Sequence, residues 1–226
     1  MVFNYNGKKF AEEEVSKRVE LAKSEETDTN ARLLIMNLSQ TKLTVLNSLS
    51  EDIQQICDCF FLKKHMAALT LTNLLFETMI KLTLAYYDAD GRTMDEEGVE
   101  FETILEKELP EYGKNKLAKN IECLFKKNVI TEDGYKRLLD LKDLFRNPYS
   151  HGSNNRYVES ASTILYEWQP GDKSIQERKV SVVGNPHLLL DARRTFVKQM
   201  GLGYFTEIVS YIQELDKFLH KLYPQK

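Results

Sequence analysis

A run of apolar side chains from Ile53 to Tyr87 constrains the fold of this chain more than any other feature of its sequence. Apolar residues recur there at three- and four-residue spacing, which is the pattern of helices that bury a broad face. The run predicts two helices or one long bent helix. Its most apolar part, Met66 to Tyr87, contains Asn73, Glu77 and Lys81, and polar residues at that spacing are costly inside a bilayer. We therefore expect a buried core helix and no membrane partner.

Helical patterns also fill most of the chain before and after this run. N-cap residues at positions 25–30 predict a helix that carries the apolar residues from Leu33 to Leu46. Thr131, followed by Glu132 and Asp133, is the predicted N-cap of a helix that runs to Arg146. Shorter helices are expected at 11–23, 101–109 and 114–127.

The C-terminal third combines a short β pattern with more helix. Two β-branched and aromatic runs flank the turn sequence Gln169-Pro170-Gly171-Asp172 and predict a β-hairpin within residues 161–183. Helices are expected at Leu188–Met200 and Phe205–Tyr223, separated by Gly201-Leu202-Gly203. The sequence therefore predicts an all-α fold in a single domain over residues 1–226, with a core bundle at 28–155, the appended hairpin, and C-terminal helices at 186–223.

Charge and cysteine content limit the classes of function. The net charge of −3 argues against a protein that coats nucleic acid by bulk electrostatics. Locally, residues 113–157 carry ten Lys or Arg against five Asp or Glu, whereas residues 88–111 carry ten acids against two bases. The three cysteines lie among apolar helical residues, which favours reduced thiols, and the N-terminus has no apolar targeting segment. A cytoplasmic location is expected.

The segment from Leu141 to Gly152 carries the sharpest indication of function. Pro148 lacks an N–H and its ring disfavours the preceding turn, so the segment predicts that one helix stops and another begins. Arg146 would then close the first helix and His151 would lie in the first turns of the second. Asn147 would cap the new turn by accepting an N–H bond, or would hold a phosphate oxygen. Free backbone N–H groups at such a corner favour an anion.

The order Arg146-Asn147-Pro148-Tyr149-Ser150-His151 resembles the motif of the HEPN superfamily, the higher eukaryotes and prokaryotes nucleotide-binding domains. In that motif an Arg, often followed by Asn, is separated by four to six residues from a His. The resemblance implies a HEPN-like helical bundle and a metal-independent endoribonuclease that uses no cofactor. It further implies a homodimer in which two subunits contribute Arg–His pairs to one cleft that takes single-stranded RNA.

The residue types fit this chemistry. A neutral imidazole at His151 can accept the proton of a ribose 2′-OH, while the guanidinium of Arg146 binds the scissile phosphate and stabilises charge in the transition state. The products would carry a 2′,3′-cyclic phosphate and a 5′-hydroxyl. The resemblance also indicates a role in prokaryotic defence or a toxin system, with an antitoxin or regulatory protein as a partner. In one toxin branch a modified Tyr lies two residues after the His, whereas Ser153 occupies that position in this chain.

Other interpretations stay open from the sequence. Arg146 could pair with Asp143 and His151 could satisfy a helix start, which would leave a non-catalytic nucleotide-binding or dimerisation module of the same fold. A third interpretation is a helical scaffold whose acidic and basic segments dock on other proteins. Cys57, Cys59 and His65 have donor types for zinc, but residues two apart on a helix point to different faces. No metal site is therefore predicted.

Overall fold

The computed structural model describes residues 29–89, 111–150, 162–169, 174–181 and 185–222, and these are mostly helical, as the all-α prediction requires. Residues 1–28 and 90–110, with the helices predicted at 11–23 and 101–109, lie outside the described residues, as does His151. The elements are α1 (Thr29–Ser39), α2 (Ser50–Phe61), α3 (His65–Asp88), α4 (Leu117–Lys126), α5 (Glu132–Leu141), a π-helical segment (Lys142–Arg146), α6 (Asn147–Ser150), β1 (Ser162–Gln169), β2 (Ser174–Ser181) and α7 (Pro186–Leu222).

The two strands lie in the range in which the sequence predicts a hairpin. β1 and β2 pair antiparallel, with Ser162 opposite Ser181 and Gln169 opposite Ser174. The backbone register is regular over all the described positions of both strands.

Helix α3 is the centre of the bundle. It packs against α2, α4 and α7, and it also contacts the π-helical segment and α6. Large side chains along it, such as Phe76, Met79 and Ile80, are fully buried. Each contributes about 1.5–3 kcal/mol by leaving water. The apolar run at 53–87 is therefore two helices, α2 and the core helix α3.

Length and composition would also allow α3 to cross a bilayer, alone among the helices in the described ranges. However, 56% of its most apolar window is buried inside the protein. Packing against three other helices gives this apolar surface a protein environment. The helix is thus mostly buried, as expected of a core helix.

A tight corner joins α2 to α3. The N–H of Lys63 donates to the carbonyl of Phe60 at 3.0 Å, and the N–H of Lys64 donates to Cys59 at 2.8 Å, which is the Schellman pattern that ends helices. Lys63 has a φ of 54°. The same bonds end α4, where Asn128 has a φ of 57°. A side chain in this left-handed conformation costs about 1 kcal/mol, less for Asn than for Lys.

Helix α1 ends earlier than the sequence predicts. It stops at Ser39, and Leu43 to Leu46 form a non-helical segment instead of continuing it. The reason is a carboxylate on α7: Asp216 accepts hydrogen bonds from the backbone N–H groups of Thr44, Val45 and Leu46. These bonds replace the ones that a helix would have supplied. Leu46 is consequently fully buried.

The C-terminal helix is continuous, so the predicted break at Gly201-Leu202-Gly203 is wrong. Gly201 is buried next to Phe60 of α2, and a β-carbon there would lie 3.8 Å from the ring of Phe60 and 3.7 Å from Val197. Two glycines in a helix cost about 2 kcal/mol relative to alanine. The buried apolar residues on both sides of them, which include Val197, Phe205 and Ile208, offset that cost.

Candidate functional site

An ion pair between Arg146 and Glu77 joins the motif to α3. The Nε–H of Arg146 donates to Oε1 of Glu77 at 2.7 Å, and the two side chains are 18% and 24% exposed. Glu77 also lies 3.8 Å from the ammonium of Lys81, one turn further along α3. The sequence offered Asp143 as the structural partner of Arg146, whereas this carboxylate comes from another helix.

The predicted break at Pro148 is wrong, because the backbone stays helical from Glu132 to Ser150. The turn before the proline is π-helical, and the N–H of Asn147 donates to the carbonyl of Lys142, five residues earlier. Because a π-helical turn is wider than an α-helical one, it moves away the backbone carbonyl with which the Pro148 ring would otherwise clash. Arg146 therefore lies within a continuous helix and does not close one.

Asn147 does not take the predicted N-cap conformation. Its backbone is helical, with φ −64° and ψ −48°. Its side-chain Nδ2 donates to Oδ1 of Asp143 at 2.8 Å, and its Oδ1 accepts a long 3.4 Å bond from Nη1 of Arg146. Asp143 also pairs with Lys142 at 2.7 Å. Asn147 thus touches the guanidinium, which leaves its predicted phosphate contact as a hypothesis.

Aromatic side chains pack the motif against α7. The ring of the buried Phe145 stacks on Tyr204 at 4.2 Å and lies 5.6 Å from Phe196. Tyr149 stacks on Phe196 at 6.4 Å, and its hydroxyl lies 3.5 Å from the carbonyl of Arg193. Because aromatic rings restrain each other's orientation, these contacts fix the helix that carries Arg146.

Burial keeps the two tyrosines of this cluster protonated. It raises the pKa of Tyr149 to about 12, against a smaller opposing effect of the Arg193 charge. It also raises the pKa of Tyr204, which Glu77 raises further and Arg146 lowers. The Tyr204 hydroxyl donates to Oδ1 of the buried Asn73 at 2.9 Å. Neither phenol is available as a base near neutral pH.

The structure thus brings together Arg146 and Asn147 but gives no position for His151, which lies outside the described residues. The Arg–His pair therefore stays a prediction. Glu77 is the site residue that sequence reasoning missed. Its only local signal was a carboxylate inside a mostly apolar window.

Other candidate residues are not gathered into a site. Cys57 is buried, Cys59 and Cys123 are partly buried, and these three described cysteines form no disulfide bond with one another. Within the described ranges, no group of three His, Cys, Asp or Glu side chains is placed to hold a metal ion. His187 and His220 are exposed on α7.

A cleft of about 390 Å³ lies between the start of α5 and α7. It is lined by the apolar residues Val129, Ile130 and Leu215, by Tyr211 and by charged residues. Among these, the Arg137 guanidinium is held by Glu207 through bonds of 2.6 and 2.7 Å. No motif residue lines this cleft, so it adds nothing to the Arg146 site.

Comparison of the chain with protein-family models, with curated proteins and with solved structures finds no match. A functional assignment therefore depends on the geometry around Arg146 and on the resemblance of the motif.

Proposed function

We propose that the protein is a metal-independent endoribonuclease of the HEPN type, with Arg146 as the phosphate-binding residue and His151 as the general base. The observation that carries the proposal is the Glu77–Arg146 pair at the end of a π-helical turn. π-Helical turns occur frequently at functional sites, and a carboxylate that fixes a guanidinium orients it before substrate arrives.

The partly exposed guanidinium has a suitable environment for a phosphate. Arg has five N–H donors, one on Nε and four on the two Nη atoms. Glu77 accepts from the Nε–H, the donor nearest to the aliphatic part of the side chain. Its contact with Asn147 is long at 3.4 Å. A phosphate oxygen at Nη1 would replace this weak bond by a charge-assisted one of about 2.8 Å.

The reaction would be transesterification within RNA. His151 accepts the proton of the 2′-OH, the 2′-oxygen forms a bond to phosphorus, and the bond from phosphorus to the 5′-oxygen breaks. The departing 5′-oxygen takes a proton, which an imidazolium supplies. Arg146 stabilises the charge that accumulates on the non-bridging oxygens.

A second copy of the chain completes this proposal. Leu74 lies three residues before Glu77 on α3 and is 58% exposed, an unusual environment for a leucine on the core helix. A partner that packs on this face would bring a second Arg–His pair near the first. The homodimer, like the endoribonuclease activity, is part of the proposal.

One observation favours a second candidate function. The guanidinium of Arg146 already has a carboxylate and an amide as partners, and that arrangement suits a residue that only joins two helices. The protein would then be a non-catalytic module that binds nucleotides or RNA, or that dimerises.

Cleavage of single-stranded RNA in EDTA separates these functions. The parent should cleave, and His151→Ala should not, while His220→Ala should match the parent because His220 is exposed on the last turn of α7. The products should carry 2′,3′-cyclic phosphates.

Three outcomes would contradict the proposal. Equal cleavage by the parent and His151→Ala would point to contamination, and cleavage that EDTA abolishes would point to a metal site. RNA binding without any cleavage would support the non-catalytic module.

A further inference from the structure

The corner between α2 and α3 exposes apolar and basic side chains together. Leu62 is 48% exposed and Met66 is 43% exposed, although both belong to residue types that usually lie inside. Lys63 and Lys64 lie between them and are exposed. We call residues 62–66 the α2–α3 corner.

A third lysine, Lys198, is exposed on α7 three residues before Gly201, where a β-carbon would lie 3.8 Å from the ring of Phe60 on α2. His65 is the first residue of α3, and its ring lies 6.1 Å from that of Phe60. Burial lowers the pKa of His65, and the positive charges of Lys198 and Lys63 lower it further. The ammonium groups of Lys63 and Lys198 therefore act on the same imidazole from two elements.

The backbone conformation of Lys63 is one that lysine adopts rarely. Its φ of 54° is a conformation that favours Gly or Asn. At the end of α4, where the same hydrogen bonds form, the corresponding residue is Asn128. A lysine in this position is therefore less favourable for the corner than Asn or Gly would be.

We propose that the α2–α3 corner binds the surface of an anionic phospholipid bilayer. Leu62 and Met66 enter the boundary between headgroups and acyl chains, and Lys63, Lys64 and Lys198 contact the negatively charged headgroups. The polar residues within α3 argue against a helix that spans a bilayer, and they do not bear on contact at its surface. Contact at a surface leaves α3 in the protein core.

A bilayer fits this surface better than other anionic partners do. The corner joins two helices and four of its five side chains are exposed, and a bilayer can contact such a surface without a complementary pocket. The exposed apolar groups are aliphatic, whereas single-stranded nucleic acid is held mainly by aromatic stacking. The protein as a whole is negative, at −3, so attraction to negative lipid must come from a local cluster such as this one.

The expected effects are large enough to measure. Each lysine near an anionic surface contributes about five-fold in affinity, and three together about 100-fold. Screening by salt should weaken binding, because the Debye length falls from about 10 Å at 0.1 M to about 3 Å at 1 M.

The test is co-sedimentation of the full chain with vesicles of phosphatidylcholine, alone or mixed with phosphatidylserine. We expect binding to the mixed vesicles only. Replacing Lys63, Lys64 and Lys198 by Gln should abolish it. The matched control replaces the exposed lysines Lys114, Lys116 and Lys119 and should retain it.

The apolar side chains have their own controls. Leu62→Ser with Met66→Ser should weaken vesicle binding several-fold. Leu33→Ser with Met36→Ser removes side chains that are 53% and 46% exposed on α1 and should have no effect.

Lys63→Gly separates binding from folding. It relieves the left-handed conformation and should raise Tm while it lowers vesicle binding about five-fold. Asn128→Gly makes the same backbone change at the end of α4 and should leave vesicle binding unchanged.

Several outcomes would overturn the proposal. These are no binding to the mixed vesicles, equal binding to both kinds of vesicle, or equal losses in the test and control variants. Salt-sensitive binding of polyglutamate without vesicle binding would assign the corner to an acidic protein instead. None of these results depends on ribonuclease activity.

Discussion

The carboxylate of Asp216 should be one of the strongest single determinants of stability in this protein. Its Oδ1 accepts from the N–H groups of Thr44, Val45 and Leu46 at 3.1, 2.8 and 2.7 Å, and its Oδ2 accepts from Thr44 at 3.0 Å. Val45 is 6% exposed and Leu46 is 0% exposed. Water therefore cannot replace the carboxylate at these two N–H groups.

The expected loss of unfolding free energy in each Asp216 variant depends on how many backbone N–H groups lose their acceptor. In Asp216→Ala, two buried N–H groups stay unsatisfied at about 1–3 kcal/mol each, so we expect a loss of about 2–6 kcal/mol of unfolding free energy. In Asp216→Asn, one amide oxygen can still accept from Val45 and Leu46, but the amide nitrogen faces the donor of Thr44. That variant should lose about 1–3 kcal/mol, mainly through the missing charge.

Urea unfolding followed by far-UV circular dichroism measures both losses, with Asp191→Asn as the control on the same helix. Asp191 forms an exposed pair with Arg194 at 3.6 Å, which contributes little to stability. The reasoning is refuted if Asp216→Asn stays within about 0.5 kcal/mol of the parent, or if the Asp191 control loses as much.

Three further predictions concern other parts of the bundle. A double-mutant cycle of Glu77→Ala and Arg146→Ala should give a coupling energy above about 1 kcal/mol, and zero coupling would contradict the ion pair. Because the folded protein lowers the pKa of His65, its neutral form favours folding, and stability should fall as the pH drops below about 6.5. His65→Gln should flatten this decrease in Tm, whereas His220→Gln should not. Thr131→Ala should cost about 1 kcal/mol in urea unfolding, and Thr131→Ser should restore most of it, since the hydroxyl accepts from the N–H of Gly134.

Local chemistry determined what could be predicted from the sequence. The Thr131 cap is confirmed because its partner, Gly134, is only three residues away. The apolar run at 53–87 likewise predicted helices by periodicity alone. Both features depend on neighbours along the chain, which a sequence shows directly.

One error arose where the backbone widened locally, and two arose where a distant contact overruled a local rule. A proline at position 148 predicts a helix break, but a π-helical turn accommodates its ring. A glycine at position 201 predicts a turn between two helices, but packing against Phe60 keeps the backbone helical. The short α1 depends on Asp216, which is 170 residues from Leu46.

The candidate site was predicted only in its residue types. Arg146 and Asn147 do touch, but the orientation of the guanidinium comes from Glu77, 69 residues earlier. No spacing rule connects those two positions, so the partner had to come from the structure. The HEPN-type bundle, the single domain, the cytoplasmic location and the Arg–His pair stay predictions.

The bonds to Asp216 also set an order of events during synthesis of the chain. The ribosome releases the segment at Thr44–Leu46 early, but the carboxylate that pairs its N–H groups emerges only with the end of α7. The same stretch of α7 supplies buried side chains such as Phe205, Ile212 and Leu219. Until it appears, helices α1 to α6 have an uncovered apolar face, and a chain stalled before residue 205 should depend on chaperones.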